Sequence, residues 1–198
     1  MVVPTHLLLI RHGQSTWNAQ RRWQGQADPP LTELGEEQAR EAARQLGTFD
    51  AIYASDLHRA AVTAGIVAEA LGLGPVVPEP RLREHDVGEW TGMTVDEVKS
   101  DWPGYLEEHR RPPGFEPAEH VVARLVSLFH DLSARHPGGE VLCVTHGGVI
   151  RVLRRELQAP DEVMPNLGGS WFRVTDDGAV HAGHVVRLLG DELTTPRQ

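Results

Sequence analysis

The stretch LLLIRHGQSTWN, residues 7–18, runs four aliphatic residues directly into an arginine, a histidine and a glycine. Four apolar residues bounded by polar ones are typical of a strand that is buried on both faces of a parallel sheet. We expect this strand to end near Ile10 and to leave Arg11 and His12 at its carboxyl end. Open α/β sheets bind their ligands at that end of the strands, so the stretch predicts a site as well as a fold.

Apolar runs of strand length alternate with longer amphipathic patterns along the rest of the chain. The predicted strands are HLLLI (6–10), AIYA (51–54) and EVLCVT (140–145). Apolar residues at helical spacing over 39–46, 60–71 and 121–132 predict three helices. Their predicted ends are Gly47, Gly72 and the PGG segment (137–139), and Pro117 is predicted to open the third. WFRVTDDGAVHAGHVVRLL (171–189) predicts a β-hairpin that turns at Asp177-Gly178. The order predicts an α/β fold, a three-layer α/β/α sandwich with a mostly parallel central sheet.

The length of 198 residues fits a single domain spanning residues 1–198. The segment DWPGYLEEHRRPPGFEP (101–117) is the most irregular part of the chain. We therefore predict a small lid insertion over about residues 92–118 rather than a domain boundary.

Composition excludes several classes of partner. The net charge of −9 disfavours nucleic acid and anionic membranes, although a local cationic pocket for a small anion is compatible with it. Neither a membrane-spanning apolar run nor a secretory signal pattern is found in the sequence, which predicts a cytoplasmic protein. The single cysteine, Cys143, lies in an apolar run, where a buried, inert thiol is expected rather than a nucleophile.

Cationic side chains follow three different predicted elements at one edge of the sheet. Arg11 and His12 end the first strand, His146 ends another in VTHGG, and Arg59 lies near the start of a helix that follows a third. Because these positions meet at the same edge, we predict an anion site there. Glycines beside both histidines let a ligand approach the backbone, as Gly147 does beside His146.

The motifs of this chain resemble those of the histidine phosphatase superfamily, which includes cofactor-dependent phosphoglycerate mutases and small-molecule phosphatases. The matching segments are LIRHGQSTWN (9–18), GQADPPLTELGEEQA (25–39), YASDLHRAAVTA (53–64), LREHDVGEWTG (82–92) and VTHGGVIR (144–151). The resemblance implies that His12 becomes phosphorylated, that Glu84 donates a proton, and that three further residues bind the phosphoryl group. Those three are Arg11, Arg59 and His146. Asn18 matches a position that contacts the phosphoryl group or the substrate in the family.

Phosphoryl transfer explains these residue types. Its loose transition state spreads charge over equatorial oxygens, which arginine forks and a protonated His146 are suited to surround. His12 needs a neutral nitrogen to attack, and we expect a backbone carbonyl to fix its tautomer. The proton donor needs a pKa raised by burial or by the substrate's charge. Spacing alone leaves Glu84, Asp86 and Glu89 open for that role, and the resemblance selects Glu84.

The substrate itself is less constrained than the chemistry. The loop after the nucleophile offers groups for a second anionic or sugar moiety, with a solvated basic loop as the alternative. The predicted substrate-binding residues are Asn18, Arg21, Gln24, Gly25 and Gly147. The expected partner is a small phosphorylated metabolite. Nothing in the sequence requires a homodimer, although the hairpin is suited to pair across one.

Metal and nucleotide chemistry find no support in the motifs. The 11 histidines form no HExxH motif, and His181 and His184 point to opposite faces of a predicted strand. A P-loop and a GxGxxG fingerprint are both missing from the sequence. We therefore predict neither a metal nor a cofactor.

Three functions remain open at this stage: a phosphatase, a cofactor-dependent phosphoglycerate mutase, and a non-catalytic protein that binds phosphorylated ligands. The nucleophile, clamp and acid positions are all present, which favours an enzyme. Mutases of the family tend to have a longer segment between the proton donor and the second histidine. The compact segment between Glu84 and His146 therefore makes the resemblance to a phosphatase stronger than that to a mutase. Pro117 stands where many family members have a serine, so substrate contacts from that region are not carried over.

Overall fold

A six-stranded central sheet organises the protein, and its strand order is β3-β2-β4-β1-β5-β6. The computed structural model describes residues 3–190 and 193. The strands are β1 (Thr5–Arg11), β2 (Ala51–Ala54), β3 (Val77–Pro78), β4 (Glu140–Thr145), β5 (Gly168–Val174) and β6 (Val180–Arg187). The helices are α1 (Thr16–Ala19), α2 (Glu33–Ala43), α3 (His58–Leu71), α4 (Val95–Asp101), α5 (Ala118–Arg135) and α6 (Gly147–Glu156). Strands β3, β2, β4 and β1 run parallel to one another. Strand β5 is antiparallel to β1, and β6 is antiparallel to β5.

Alternate residues of β1 face two different cores. Leu7 and Leu9 pack with α5 and α6 on one face of the sheet. Leu8 and Ile10 pack with α2 and α3 on the other face. Because both faces are covered, the centre of the strand, residues 7–10, is apolar on both faces, as the sequence predicted. The three-layer α/β/α sandwich with a mostly parallel sheet is confirmed.

The register between β1 and β4 aligns the two histidine motifs. Ile10 lies opposite Val144, and Arg11 lies opposite Thr145. The backbone N–H of His12 continues the ladder by donating to the carbonyl of Thr145 at 2.9 Å. His12 and His146 therefore leave the sheet side by side.

Helix positions agree with the sequence except at the start of α2. The apolar spacing predicted a helix over 39–46, but α2 begins at Glu33, where Thr32 caps it by accepting from the Gly35 N–H, and ends at Ala43. Because its first turn, ELGE, is mostly polar, the apolar pattern does not mark the start of the helix. After Ala43 the chain continues in 3₁₀-type turns, in which each N–H bonds to the carbonyl three residues earlier. Helix α3 ends at the predicted Gly72, whose φ of 62° is readily available only to glycine.

The predicted lid segment, about 92–118, lies outside the sheet and includes α4. It packs around a small third core built on Trp90 and Val98, to which Trp23 contributes from the loop after the nucleophile. A capping box of Thr94 and Glu97 begins α4. The extent of the lid and the single domain over residues 1–198 stay predictions, and the latter includes terminal residues outside the described ones.

The structure also bears on the predictions for the cysteine, the hairpin and membrane-spanning segments. Cys143 is fully buried, and burial raises the pKa of its thiol, as expected for an inert residue. The β5–β6 hairpin turns through Gly178, whose φ is 81°. Among residues 3–190 and 193, no helix is both long and apolar enough to cross a membrane.

Candidate active site

His12 is a buried imidazole with one tautomer imposed by its surroundings. Its Nδ1 lies 2.6 Å from the backbone carbonyl of Gly13, which can only accept a hydrogen bond, so Nδ1 carries the proton. Nε2 is then the unprotonated nitrogen, and it accepts a hydrogen bond from Nε of Arg59 at 3.2 Å. Burial, followed by the charges of Arg59, His146 and Arg11, lowers the pKa of His12 well below its ordinary value. The ring is neutral, as a nucleophilic nitrogen must be.

Arg59 reaches the nucleophile from the first turn of α3 and is only 1% exposed. Its two terminal nitrogens donate to the carbonyls of Ala27 at 2.6 Å and Gly25 at 2.8 Å. Burial lowers the pKa of Arg59 to about 10, which still leaves the guanidinium charged at neutral pH. The loop after the nucleophile therefore fixes this arginine against His12.

Arg11 is the second guanidinium of the site. Its Nη1 donates to the carbonyl of Met164 at 2.8 Å, in the connection between α6 and β5. Burial lowers the pKa of Arg11, and the charge of Glu84 opposes that shift. Two arginines from different elements thus flank the nucleophile, which is the arrangement that an anionic phosphoryl group requires.

His146 begins α6 and is completely buried, with its ring edge-on to that of His12 at a centroid distance of 5.1 Å. Its Nε2 lies 2.9 Å from Oγ of Ser55, and its Nδ1 has no hydrogen-bond partner among the described residues. Burial and the charge of Arg59 lower the pKa of His146 well below its ordinary value. A neutral His146 is therefore favoured in the unliganded protein, because a third buried cation beside two arginines is unfavourable.

Glu84 is the carboxylate that lines the site. Its Oε1 accepts from the backbone N–H of His85 at 3.0 Å, and its Oε2 accepts from that of Gly148 at 3.0 Å. Burial acts to raise the pKa of Glu84, but the charge and hydrogen bond of the His85 ring, followed by the charge of His146, outweigh it. The pKa lies well below its ordinary value, so burial alone does not supply the protonated acid that we expected.

The two other carboxylates left open by the spacing are directed elsewhere. Asp86 accepts from the Gly88 N–H at 2.9 Å and so stabilises a turn. Glu89 is exposed. Neither residue lines the cavity beside His12, whereas Glu84 does. Geometry and resemblance therefore select the same carboxylate.

A cavity of about 720 Å³ opens from His12 toward the α4 segment. Its lining includes every predicted substrate-binding residue, namely Asn18, Arg21, Gln24, Gly25 and Gly147. Of the predicted catalytic residues, Arg11, His12, Arg59 and Glu84 also line it, whereas His146 lies behind the wall. The described residues contain no cluster of side chains able to hold a metal ion.

Sequence reasoning missed two polar residues of the site. Asn166 donates from Nδ2 to the carbonyl of His12 at 2.9 Å and lies 3.4 Å from Oδ1 of Asn18. No pattern marks it, since it lies in an irregular connection before β5. Arg151 lines the cavity while pairing with Asp161 at 2.8 Å. A signal for Arg151 existed, because it stands four residues after Gly147 on the same helix face.

This geometry defines an α/β protein with a neutral, buried histidine at the end of a strand and a clamp for a small anion around it. The sequence comparisons place it further: the model of the histidine phosphatase superfamily (branch 1) matches residues 7–180. The chain belongs to that superfamily, and the named phosphatases among its relatives support a phosphatase enzyme.

Relatives of both catalytic types are found. A metal-independent phosphoserine phosphatase of Arabidopsis thaliana is 34% identical, over 75% of this chain and 67% of its own length. A 2,3-bisphosphoglycerate-dependent phosphoglycerate mutase of Methylobacterium radiotolerans is 36% identical, over 78% of this chain and 82% of its own. The solved structure of a mycobacterial glucosyl-3-phosphoglycerate phosphatase in complex with VO3 is 34% identical, with a TM-score of 0.78 over 90% of this chain and 96% of that one.

Proposed function

We propose that this protein hydrolyses the phosphomonoester of a small metabolite through a phosphohistidine formed on His12, with Glu84 as the proton donor. The observation that carries the proposal is the state of His12. Its Nδ1 donates to the Gly13 carbonyl, and its unprotonated Nε2 accepts a hydrogen bond from Nε of Arg59, which a phosphoryl group would replace. A neutral imidazole beside fixed cations is able to attack an anionic phosphorus, because the cations offset the charge repulsion.

In the first step, Nε2 of His12 forms a bond to phosphorus while the bond from phosphorus to the ester oxygen breaks. Arg11 and Arg59 bind the equatorial oxygens, and a small shift of the wall would bring Nδ1 of His146, which has no partner among the described residues, within reach of a further oxygen. A protonated Glu84 gives its proton to the leaving oxygen, so the product departs as an alcohol. In the second step, Glu84 takes a proton from water, and that water displaces the phosphoryl group from His12.

Hydrolysis requires water at the phosphohistidine, whereas a mutase excludes water and returns the phosphoryl group to an acceptor. The cavity of about 720 Å³ is several times larger than a phosphate group and reaches beyond the nucleophile, which favours access by water. Similarity to a mutase keeps phosphoryl transfer as the second candidate.

Trapping the covalent intermediate tests the proposal. The wild-type protein is mixed with ³²P-labelled phosphomonoesters, quenched in alkali and analysed for phosphohistidine, while free phosphate and transfer to added acceptor alcohols are measured in parallel. We expect label on the protein and release of free phosphate without transfer. Transfer to an acceptor in place of release indicates the mutase. No label and no release across the panel contradict both enzymes and leave a binding protein.

Arg21 is the cation in the outer cavity best placed to select the substrate. Arg22 pairs with Glu97 and Arg151 pairs with Asp161, whereas the side chain of Arg21 makes no ion pair or hydrogen bond within the part of the chain described. We expect Arg21→Ala to raise KM by about tenfold, the worth of one charge-assisted hydrogen bond, for esters that carry a second anionic group. Its kcat should stay unchanged, and initial-rate kinetics measure both parameters.

The control for Arg21 is the exposed Arg40 on α2, whose replacement by alanine should leave both parameters unchanged. p-Nitrophenyl phosphate, which lacks a second anion, should show the same KM with wild type and Arg21→Ala. An equal rise in KM for both kinds of ester would contradict a role for Arg21 in selecting a second anionic group.

Metal independence is a further expected property. Because the proposed chemistry uses arginine side chains where metal-dependent phosphatases use metal ions, activity should be unchanged after dialysis against excess EDTA. Phosphate release is measured before and after dialysis, and again after Mg²⁺, Mn²⁺ or Zn²⁺ is added. A loss of more than about half the activity on chelation that one of these ions restores would contradict the prediction.

We also propose a cytoplasmic location, from the sequence patterns alone, and a homodimer that pairs through the outer edge of β6. The edge strand Val180–Arg187 is bonded on one side only, to β5, within the described residues. Cell fractionation tests the location. Light scattering tests the dimer, and a monomer at micromolar concentration would contradict it.

A further inference from the structure

Beside the proposed proton donor lies a second titratable group that the sequence does not single out. Nδ1 of His85 lies 2.9 Å from Oε1 of Glu84, and both side chains are about 15% exposed. We propose that His85 is a positioning residue that holds the proton which Glu84 delivers to the leaving group and later recovers from water. This proposal rests on the proposed role of Glu84 as proton donor.

The backbone holds the two side chains together in one orientation. Both oxygens of Glu84 are fixed by N–H groups, Oε1 by His85 and Oε2 by Gly148, each at 3.0 Å. A Cβ atom on residue 148 would lie 2.4 Å from Cε1 of His85 and 2.6 Å from Oε1 of Glu84. Only a glycine at the start of α6 therefore leaves room for the pair. Nδ1 and Oε1 are in contact, but Nδ1 has no aligned hydrogen-bond partner among the described residues, so a small rotation of the ring must direct its N–H at Oε1 before the proton moves.

The groups around the pair favour the charged form of His85 in the unliganded protein. The ring of Phe115 covers the imidazole at a centroid distance of 5.1 Å. The titratable and charged groups that act on His85 are Glu84, Glu116 and Arg124, and those that act on Glu84 besides His85 are Arg11, Arg59 and His146. Burial acts to lower the pKa of His85, but Glu84 and then Glu116 outweigh it, so the pKa is raised. Arg124 opposes this less, since it is paired with Glu116 at 3.0 Å.

Binding of substrate reverses the balance inside the pair. A dianionic phosphoryl group between Arg11 and Arg59 repels the Glu84 carboxylate and makes its protonation favourable. The Nδ1–H bond of His85 breaks as an O–H bond forms at Oε1 of Glu84, and the same proton count is kept. Glu84 then protonates the ester oxygen. Water attack returns one proton to Glu84, which passes it to Nδ1, so the pair regains its starting charges after each turnover.

The pair therefore acts as one acid with two sites for its proton. Removing one of two coupled sites lowers the apparent pKa of the acid, because the remaining site holds the proton alone. With His85 replaced, the protonated form of Glu84 should be lost at lower pH than in wild type. As the pH rises, activity on esters with poorly acidic leaving groups should then begin to fall at a lower pH than in wild type.

The experiment compares His85→Gln with wild type on β-glycerophosphate, whose alkoxide must be protonated, and on p-nitrophenyl phosphate, whose leaving group needs no proton. We expect His85→Gln to reduce kcat on β-glycerophosphate about 10²-fold at pH 7 and to move the alkaline limb of the kcat profile down by about one pH unit. On p-nitrophenyl phosphate, kcat should change less than about threefold. Equal losses on both esters with an unchanged pH profile would overturn the proposal.

Two further variants separate this inference from the role of Glu84. His120→Gln, on the exposed face of α5, is the matched control and should resemble wild type. Glu84→Gln should show the same dependence on the leaving group as His85→Gln, with a larger loss. If Glu84→Gln shows none, the proposed function fails; if Glu84→Gln shows it and His85→Gln does not, only the role of His85 fails.

A measurement on the unaltered protein guards against a variant that does not fold. Histidine ¹⁵N chemical shifts distinguish an imidazolium from a neutral ring, and the His85 signals are assigned through backbone connectivity. We expect His85 to be an imidazolium at pH 7 in the free protein. A neutral His85 ring at pH 7 would overturn the proposal without any variant.

Discussion

His12→Gln is expected to reduce kcat/KM by at least about 10⁴-fold, because it removes the atom that bonds to phosphorus. The glutamine amide is close in size to imidazole and can donate to the Gly13 carbonyl while accepting from Arg59. The fold and the anion site should therefore survive. Steady-state kinetics on a phosphomonoester measure the loss, and calorimetric titration with inorganic phosphate should still show binding.

His130→Gln is the control for that variant, since His130 is exposed on α5 far along the chain from the site. It should keep wild-type activity. Activity of His12→Gln within tenfold of wild type, or phosphohistidine still trapped on that variant, would show that another residue is the nucleophile.

Arg59→Met is expected to reduce kcat/KM about 10³-fold and to lower the free energy of unfolding by about 2–4 kcal/mol. The catalytic loss follows from removing one of two guanidinium groups beside the phosphoryl position. The stability loss follows from burial, because the carbonyls of Gly25 and Ala27 lose the donors at 2.8 and 2.6 Å. Kinetics and urea unfolding measure the two effects on the same preparation.

Two replacements sharpen the test of Arg59. Arg59→Lys keeps the positive charge but cannot donate to both carbonyls and to His12 in one plane, so it should recover little activity. Arg40→Met, an exposed residue of α2, should change neither activity nor stability. A near-normal kcat/KM in Arg59→Met would contradict the clamp around the phosphoryl group.

The central part of the fold was predictable because burial on both faces leaves a plain record in the sequence. The runs at 6–10 and 140–145 contain four consecutive apolar residues each, 7–10 and 141–144, and they form the two adjacent strands β1 and β4. The polar residues that end them, Arg11, His12 and His146, had to meet at one edge once the strands were parallel. The backbone carbonyl as the partner of His12 also followed from the chemistry that a nucleophilic imidazole needs.

Other features of the site depend on contacts between distant segments, which leave no local pattern. Asn166 contacts His12 from 154 positions away and lies in a connection without periodicity. The pKa values of His146 and Glu84 each depend on several buried neighbours at once, which no local pattern records. His85 was passed over for a related reason: its sequence position suggests a loop residue, and only the fold places Gly148 and Glu84 against it.

The hold of Arg59 on the carbonyls of Gly25 and Ala27 has a consequence for redesign of this protein. The loop that shapes one wall of the outer cavity is attached to the same side chain that binds the phosphoryl group. Altering that wall to admit a new substrate displaces the guanidinium and weakens the chemistry for every substrate. The opposite wall, formed by Thr94, Val95 and Asp96 of the α4 segment, has no such attachment in the described contacts of Arg59. Substrate range is therefore more safely changed from the α4 side, where selectivity and turnover are separable.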